Sequence, residues 1–209
     1  MGPEITHDGA PNASRISTTP MLTSLPNLLT LSRIGLIPLM IALMYVDTPE
    51  NRWMAWGIFT VACATDWLDG YLARNMNDVS SLGRFLDPIA DKLLITSVIV
   101  MLTALGRISD LVVIPAIIIL CRELLVSGLR EYLAEINVEM PVSKLAKWKT
   151  VIQMIALGTL IVGDAGPSSW PVQTAGEWGM WIAGALTVIT GYVYMASGLK
   201  HMLGSRPKT

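Results

Sequence analysis

The segment DWLDGYLARNMNDVSSLGRFLDPIAD (residues 66–91) places four carboxylates, Asp66, Asp69, Asp87 and Asp91, at the margins of two apolar runs. The chain of 209 residues is 52% hydrophobic and only 15% charged, with a mean hydropathy of +0.52. This composition is too apolar for an ordinary soluble domain and indicates a membrane protein. Because ionisable groups in a membrane are costly unless they are paired, solvated or bound to a cation, four acids in one segment indicate a function.

Apolar runs of spanning length predict an all-α fold with six transmembrane helices, since each run has about the ~20 residues that a bilayer requires. The runs cover residues 28–47, 53–73, 84–105, 111–134, 148–164 and 178–202. Residues 1–24 are polar and are interpreted as a cytoplasmic tail, with a short interfacial helix near residues 21–25. The membrane domain is then expected over residues 25–203, followed by a short C-terminal tail over 204–209.

The distribution of basic residues predicts the orientation of these helices. Three connections, at residues 47–51, 106–110 and 164–177, are poor in basic residues. Arg107 is the one basic residue that they contain, and Arg52 follows the first of them directly. The other connections hold more basic residues, namely Arg74, Arg84, Lys144, Lys147 and Lys149. Basic residues accumulate on the cytoplasmic side of membranes, so this second set and both termini are expected to face the cytoplasm.

Helical geometry brings the acids of the opening segment onto two faces. At 100° per residue, single stripes hold Asp66, Asp69, Gly70 and Ala73 on the first helix and Gly83, Asp87, Ala90 and Asp91 on the second. The link between the two helices is short, so we expect antiparallel neighbours. Their small residues allow the close approach of backbones or of a bulky ligand. The four carboxylates are therefore expected to converge on one place.

Converging carboxylates indicate a metal site. Like charges a few Å apart raise each other's pKa, and a divalent cation removes that conflict. Oxygen ligands without His or Cys favour Mg²⁺ or Mn²⁺, and four acids are enough for two such ions. Paired metals recur at sites of displacement at phosphorus. The alternative is a buried ionic network in which the acids pair with Arg74, Arg84 and Lys92.

The order D-x-x-D-G-x-x-A-R, eight residues, then G-x-x-x-D-x-x-x-D resembles the signature of the CDP-alcohol phosphatidyltransferase family at every fixed position. The resemblance implies a six-helix membrane enzyme, usually a homodimer. Such an enzyme moves a phosphatidyl group from CDP-diacylglycerol to an alcohol and releases CMP.

The resemblance also implies roles for the matching residues. Asp66, Asp69 and Asp87 would be metal ligands, and Asp91 would be both a ligand and the general base. The small residues Gly70, Ala73 and Gly83 would let the cytidine nucleotide lie against the helices, and Arg74 would meet its phosphates. These roles agree with the chemistry, because a pyrophosphate needs cations and an alcohol needs a base.

A second group of charges bears on the acceptor alcohol. Five basic residues lie within the fourth apolar run or follow it: Arg122, Arg130, Lys144, Lys147 and Lys149. Arg122 and Arg130 are eight residues apart on one helix, so both can point inward. Such a cluster suits an acceptor that carries its own phosphate. The alternative is that the lysines only follow the charge rule for cytoplasmic loops.

Four further segments narrow the resemblance: LPNLLTLSRIGLIP (25–38), DPIADKLL (87–94), RELLVSGLREYLAE (122–135) and KLAKWKTVIQMIAL (144–157). They are similar to bacterial family members of the inner membrane that use sn-glycerol 3-phosphate and form phosphatidylglycerophosphate. The active site would then open to the cytoplasm. Asn27, Thr30 and Arg33 would border the nucleotide side of its cavity.

Other interpretations remain at this stage. Within the family, a cardiolipin synthase or a phosphatidylinositol-phosphate synthase would use the same chemistry. Intramembrane acids also line ion pathways, so a divalent-cation transporter is conceivable, as is a non-catalytic lipid-binding relative. Cys63 and Cys121 both fall inside predicted spans, so no disulfide is inferred, and no partner nucleic acid is expected.

Overall fold

A computed structural model describes residues 25–75, 81–108, 110–136, 138 and 143–204. Within these ranges it leaves out the side chains of residues 25–27, 67–75, 81–85, 87, 135 and 200–204. The two predicted tails and the interfacial helix therefore lie outside the described residues, except at positions 25 and 204.

Six long helices form the described chain: α1 (Leu25–Val46), α2 (Pro49–Asn75), α3 (Ser81–Ala104), α4 (Val113–Glu135), α5 (Lys144–Val162) and α6 (Val172–Gly204). Short 3₁₀ turns precede α4 at Asp110–Val112 and follow α5 at Gly163–Ala165. The prediction of an all-α fold is confirmed for this part of the chain.

Four of these helices are long and apolar enough to cross a membrane, over Leu28–Val46, Asp110–Ala134, Lys144–Ala165 and Val172–Leu199. Within the described residues, α2 and α3, which carry the acidic segment, fall outside this set. Large apolar side chains also point outward, among them Ile155, Trp178 and Tyr192. An outer surface of this kind is suited to lipid, and it agrees with an integral membrane protein.

One hydrophobic core joins all six helices. α1 packs against both α2 and α3, α5 packs against α2 and α6, and α4 packs against α6. Buried core residues come from every helix, including Met44, Phe59, Leu102, Ile119, Leu157 and Met180. Because α1 contacts α2 and α3, the two helices of the acidic segment are held on a common support.

Glycines on α6 allow it to approach α4 closely. Gly184, Gly191 and Gly198 recur every seven residues, which is about two helical turns. A Cβ atom at Gly184 would lie 2.8 Å from Cβ of Pro115, and one at Gly198 would lie 2.7 Å from Cδ2 of Leu129. Both separations are shorter than van der Waals contact, so a side chain at Gly184 would clash with the rigid ring of Pro115, and one at Gly198 would require Leu129 to move.

α6 begins six residues before the predicted start at residue 178. Its first turns are polar, and the Gln173 side-chain amide donates hydrogen bonds to the Arg107 carbonyl (2.8 Å) and to the Glu177 carboxylate (2.9 Å). These contacts stabilise a helical segment that hydropathy does not identify, because it extends beyond the apolar run.

An ionic cluster around Asp47 stabilises the end of the bundle at which α1 connects to α2. The Asp47 carboxylate accepts hydrogen bonds from Arg52 Nε (2.7 Å) and from Arg107 Nη2. Arg107 is buried and also donates from Nη1 to the Ile161 carbonyl (2.7 Å). Asp47 therefore connects the loop after α1 with α2, and through Arg107 with the end of α5.

We predict that Asp47→Asn lowers the stability of the folded protein. The substitution leaves the buried Arg107 guanidinium beside Arg52 without its contacting carboxylate. Because Asp47 is about one-third exposed, the expected loss is only about 1–2 kcal/mol. It should appear as a lower midpoint of thermal unfolding in detergent micelles, by about 2–4 °C for each ~1 kcal/mol. Glu50→Gln is a matched control, since no described ion pair involves that exposed acid, and an equal loss there would contradict the prediction.

The pH dependence of this effect has a definite sign. The hydrogen bond from Arg52, aided by the charge of Arg107, lowers the pKa of Asp47 below its usual 3.8, although burial opposes this. A depressed pKa stabilises the folded state above about pH 4, and this contribution disappears as the pH falls through the folded-state value. The difference in stability between the native protein and Asp47→Asn should therefore be full at pH 7 and shrink on acidification below pH 4.

Candidate active site

The acidic site begins at the ion pair between Arg33 of α1 and Asp66 of α2. Arg33 Nη1 lies 2.9 Å from Asp66 Oδ1. The Arg33 side chain is 1% exposed, whereas that of Asp66 is 43% exposed. A buried guanidinium thus holds one edge of a carboxylate that remains accessible. Thr30, one turn earlier on α1, is also fully buried.

Asp66 and Asp91 approach the same region from different helices. The charges of Asp66, Asp91 and Arg33 all lie near enough to the Cys63 thiol to act on it electrostatically. Asp69 is one turn after Asp66 on α2, and Asp87 is one turn before Asp91 on α3. Asp66 and Asp91 thus act on one neighbouring group, whereas the convergence of all four carboxylates stays a prediction, because the side chains of Asp69 and Asp87 lie outside the described ones.

Several predicted site residues belong to described helices but lie outside the described side chains: Asn27, Asp69, Gly70, Ala73, Arg74, Gly83 and Asp87. Their positions along α1, α2 and α3 follow from the helix bounds alone. Their predicted roles stay predictions.

The described side chains contain no group of three or more His, Cys, Asp or Glu residues that could hold a metal ion. Asp69 and Asp87, half of the predicted ligand set, are not among these side chains. Asp66 and Asp91 offer only oxygen donors, which fit Mg²⁺ or Mn²⁺. Lys92 Nζ lies 3.2 Å from Asp91 Oδ2, so one pair of the alternative ionic network is present. Arg74 and Arg84 of that network lie outside the described side chains.

The Glu123 carboxylate on α4 is the centre of a second ionic cluster. Lys92 of α3 donates to its Oε2 at 3.0 Å, and Arg122 donates to its Oε1 at 3.3 Å. Lys149 of α5 also donates to Oε1. Glu123 therefore joins three helices, and Lys92 connects it directly to Asp91.

A cavity of about 560 Å³ opens beside this cluster. Its walls include Asp91 and Lys92 from α3, Arg122 and Arg130 from α4, Lys147 from α5, and Tyr194 from α6. Asp91 and both predicted arginines thus line one space, although they are far apart in the sequence. The cavity is large enough for a small polar molecule such as a glycerol phosphate.

The described residues of the cavity wall carry an excess of positive charge, because Lys92, Arg122, Arg130 and Lys147 outnumber Asp91 and Glu123 by four to two. Arg130 and Lys147 are exposed and form no ion pair within the described part of the chain. Arg122 Nε is a buried donor without a hydrogen-bond partner in that part. A ligand with several anionic oxygens would satisfy these donors.

The structure separates the two remaining lysines of the predicted basic cluster from the cavity. Lys149 is buried, but its ammonium group is bound to Glu123. Lys144 is exposed at the start of α5 and is not part of the cavity wall. Lys149 therefore belongs to the ionic cluster around Glu123 and not to the cavity wall. Lys144 lies outside the cavity that Arg122 and Arg130 line.

Two contributors to the site were not predicted from the sequence, Glu123 and Tyr194. A glutamate inside an apolar run carries a desolvation cost, so its position beside Arg122 was a usable signal. Tyr194 carried no signal, because a tyrosine in a membrane helix is more often an ordinary lipid-facing or core residue.

Comparisons with known proteins agree with this arrangement. The family model described as CDP-alcohol phosphatidyltransferase matches residues 23–189. A protein of Rickettsia bellii named CDP-diacylglycerol–glycerol-3-phosphate 3-phosphatidyltransferase is 48% identical over 178 residues, covering 85% of this chain and 97% of its own. A protein of the same name from Cereibacter sphaeroides is 34% identical over 215 residues, covering 86% and 97%.

A third relative carries a different name. The cardiolipin synthase (CMP-forming) of Oryza sativa is 35% identical over 204 residues, which cover 91% of this chain and 61% of the rice protein. The matched region of the family model contains the entire acidic segment, the basic cluster and the walls of the cavity except Tyr194. The chain belongs to the CDP-alcohol phosphatidyltransferase family.

Proposed function

We propose that this protein transfers the phosphatidyl group of CDP-diacylglycerol to sn-glycerol 3-phosphate, which gives phosphatidylglycerophosphate and CMP. Relatives up to 48% identical over most of the chain carry the name of this activity. The structural observation that carries the proposal is the cavity in which Asp91 of the family signature faces the same space as Arg122 and Arg130.

The cavity suits both ends of the acceptor. The phosphate of glycerol 3-phosphate would contact Arg122, Arg130 and Lys147, whose charges in the cavity wall exceed those of the neighbouring acids. Its free hydroxyl would then be directed towards Asp91. Charge-assisted contacts to a phosphate are among the strongest hydrogen bonds available, so they would orient the hydroxyl for attack.

Asp91 would act as the general base. An alcohol is a poor nucleophile near neutral pH, and a positioned carboxylate can accept its proton during attack. The alcohol oxygen would bond to the phosphorus of the phosphatidyl group while the bond from that phosphorus to the oxygen of CMP breaks. Lys92, paired with Asp91 and Glu123, would keep the base at the edge of the acceptor cavity.

The carboxylates of Asp66, Asp69, Asp87 and Asp91 would hold the divalent ions, two Mg²⁺ or Mn²⁺ by the count of ligands. Such ions, when bound, would supply positive charge that neutralises the pyrophosphate and stabilises the attacking and leaving oxygens. Arg33 would orient Asp66 for this task, since the buried guanidinium lies 2.9 Å from the carboxylate oxygen Oδ1.

The nucleotide of CDP-diacylglycerol would lie against α2 and α3. Gly70, Ala73 and Gly83 would provide a surface without bulky side chains for the cytidine, and Arg74 would contact its phosphates. Asn27, Thr30 and Arg33 of α1 would border this side. The burial of Thr30 and Arg33 next to Asp66 supports the placement of α1 beside the acidic segment.

The site would open to the cytoplasm. The described basic residues other than Arg52 and Arg107 all belong to the part of the bundle that contains the acids and the cavity. By the charge rule for membrane proteins, that part faces the cytoplasm, and six spans with both termini inside follow. A location in the bacterial inner membrane and a homodimer remain predictions from the family resemblance.

Cardiolipin synthesis is the second candidate, because the rice relative carries that name. Its phosphatidyl acceptor would present a phosphodiester with one negative charge, whereas glycerol 3-phosphate carries a phosphomonoester with nearly two. The net positive charge of the cavity favours the monoester. Purified protein supplied with CDP-diacylglycerol and a panel of acceptors decides between them, with release of CMP and identification of the lipid product as readouts.

The first prediction from this proposal concerns the metal. An excess of chelator should abolish the release of CMP, and added Mg²⁺ or Mn²⁺ should restore it, because carboxylates alone cannot neutralise a pyrophosphate. Ca²⁺ added at the same concentration is a useful comparison, since it prefers larger and more flexible coordination. Full activity in excess chelator would rule out the proposed role of the acids.

A second prediction concerns the base. Asp91→Asn should reduce turnover by at least the ~10²-fold that general-base catalysis typically contributes. The binding of CDP-diacylglycerol, measured by titration in detergent, should be largely retained. Asp110→Asn is the control, because Asp110 is an exposed acid in the 3₁₀ turn before α4, remote from the cavity wall. Turnover of Asp91→Asn close to that of the native enzyme would remove Asp91 from this role.

A third prediction concerns the acceptor. Arg130→Ala should raise the KM for glycerol 3-phosphate by about one to two powers of ten, since a charge-assisted contact contributes about 1.5–3 kcal/mol and each ~1.4 kcal/mol is tenfold. The KM for CDP-diacylglycerol should change little. Lys144→Ala, outside the cavity wall, should have a much smaller effect on either constant. An unchanged acceptor KM in Arg130→Ala, or equal use of plain glycerol, would require another acceptor.

A further inference from the structure

The guanidinium of Arg122 lies close to two groups of different character. One is the Glu123 carboxylate, 3.3 Å from Arg122 Nη1. The other is the ring of Tyr194 from α6, whose centroid is 5.6 Å from Arg122 Cζ. The tyrosine is 6% exposed and forms part of the cavity wall, so its ring faces both the arginine and the space for the acceptor.

The surface of α6 is shaped to receive the stem of Arg122. Gly191 lies one turn before Tyr194, and a Cβ atom there would be 3.0 Å from Arg122 Cγ. A Cβ atom at position 191 would therefore require the stem of Arg122 to shift by a few tenths of an ångström. Gly191 and Tyr194 thus form one contact surface, with a gap for the stem and a ring for the guanidinium.

The same tyrosine is tied to α5. Its hydroxyl accepts a hydrogen bond from the backbone N–H of Ser143 at 3.2 Å. Ser143 caps α5, because its own hydroxyl accepts from the backbone N–H of Ala146 at 3.2 Å. Lys147 and Lys149 follow in the first turns of α5. Tyr194 therefore connects Arg122 of α4 to the start of the helix that supplies Lys147.

We propose that Tyr194, assisted by Gly191, is a positioning residue that keeps Arg122 available to the phosphate of the acceptor. This inference rests on the proposed function and concerns how the cavity selects an anionic acceptor. The physical reason is that an aromatic face attracts a guanidinium without neutralising it. A carboxylate in the same place would hold Arg122 equally well but would cancel the charge that the acceptor needs.

Glu123 makes this contact necessary. Its carboxylate already receives Lys92 and Lys149, and it also attracts Arg122. Without the ring, Arg122 is expected to swing further towards Glu123. The cavity wall then keeps the same residues, but Arg122 is no longer held in position for the acceptor phosphate. A pre-organised contact is thereby lost.

The decisive experiment compares Tyr194→Leu with Tyr194→Phe by steady-state kinetics in detergent micelles. Tyr194→Leu removes the ring and should raise the KM for glycerol 3-phosphate about three- to tenfold, the effect of losing one partly desolvated cation–π contact. Tyr194→Phe keeps the ring and should stay within about twofold of the native acceptor KM. The KM for CDP-diacylglycerol and the turnover at saturating acceptor should change less than twofold in both variants. Tyr192→Leu is the matched control on the same helix, since Tyr192 is 76% exposed.

A double substitution separates this inference from the proposed function. In an Arg122→Ala background, Tyr194→Leu should have no further effect on the acceptor KM, because the residue to be positioned is gone. If Arg122→Ala itself leaves the acceptor KM unchanged, the proposed acceptor site is wrong. If Arg122→Ala raises it but Tyr194→Leu does not, or if the two effects add fully, only the positioning role is overturned.

Gly191→Ala provides an independent test that leaves the ring intact. The added methyl group should displace the stem of Arg122 and raise the acceptor KM, again without a change in the KM for CDP-diacylglycerol. This variant decides the matter if Tyr194→Leu fails to fold, as judged by thermal unfolding and by gel filtration in detergent. An acceptor KM within twofold of the native value in Gly191→Ala would then overturn the proposal.

Discussion

The charged end of this bundle depends on the ion pairs that the Glu123 carboxylate forms. This carboxylate lies in an apolar helix and receives Lys92, Arg122 and Lys149 from α3, α4 and α5. An isolated charge in such surroundings would carry a large desolvation cost, and so would each of the cations. The ion pairs between these groups offset the desolvation costs. Among the described residues of the cavity wall, cations outnumber acids, so the wall carries net positive charge. The ionic cluster therefore holds three helices together and at the same time creates the charge that an anionic acceptor requires.

The two ends of the bundle use ion pairs in different ways. At the end with the α1–α2 connection, Asp47 lies between Arg52 and Arg107, and the buried Arg107 also bonds to the carbonyl of Ile161. Those contacts join loops to helices. At the other end, some cations remain without a carboxylate in the described part of the chain, so that end is suited to ligands. The ion pairs around Asp47 thus serve stability alone, whereas those around Glu123 join helices beside the proposed acceptor site.

The chemistry proposed for this scaffold also divides between helices. α2 and α3 carry the acids for the nucleotide lipid, and α4 and α5 carry the cations for the acceptor. Asp91 lies at the boundary, since it belongs to the acidic signature and also lines the acceptor cavity. α6 contributes no charge to this cavity within the described residues, but its glycines let it lie close to α4. That proximity places the ring of Tyr194 over Arg122.

The sequence by itself determined the helical class, the approximate position of all six helices, the family and the two groups of charged residues. It could do so because apolar run length and the spacing of the acids are local properties, set by bilayer thickness and by helical periodicity. It did not place the start of α6, because the polar turn at Gln173 is stabilised by a carbonyl 66 positions away. It also grouped Lys144 and Lys149 with the cavity cations. Only the tertiary structure assigned Lys149 to Glu123, Arg33 to Asp66 and Tyr194 to Arg122, because those contacts join different helices and depend on how closely the helices pack.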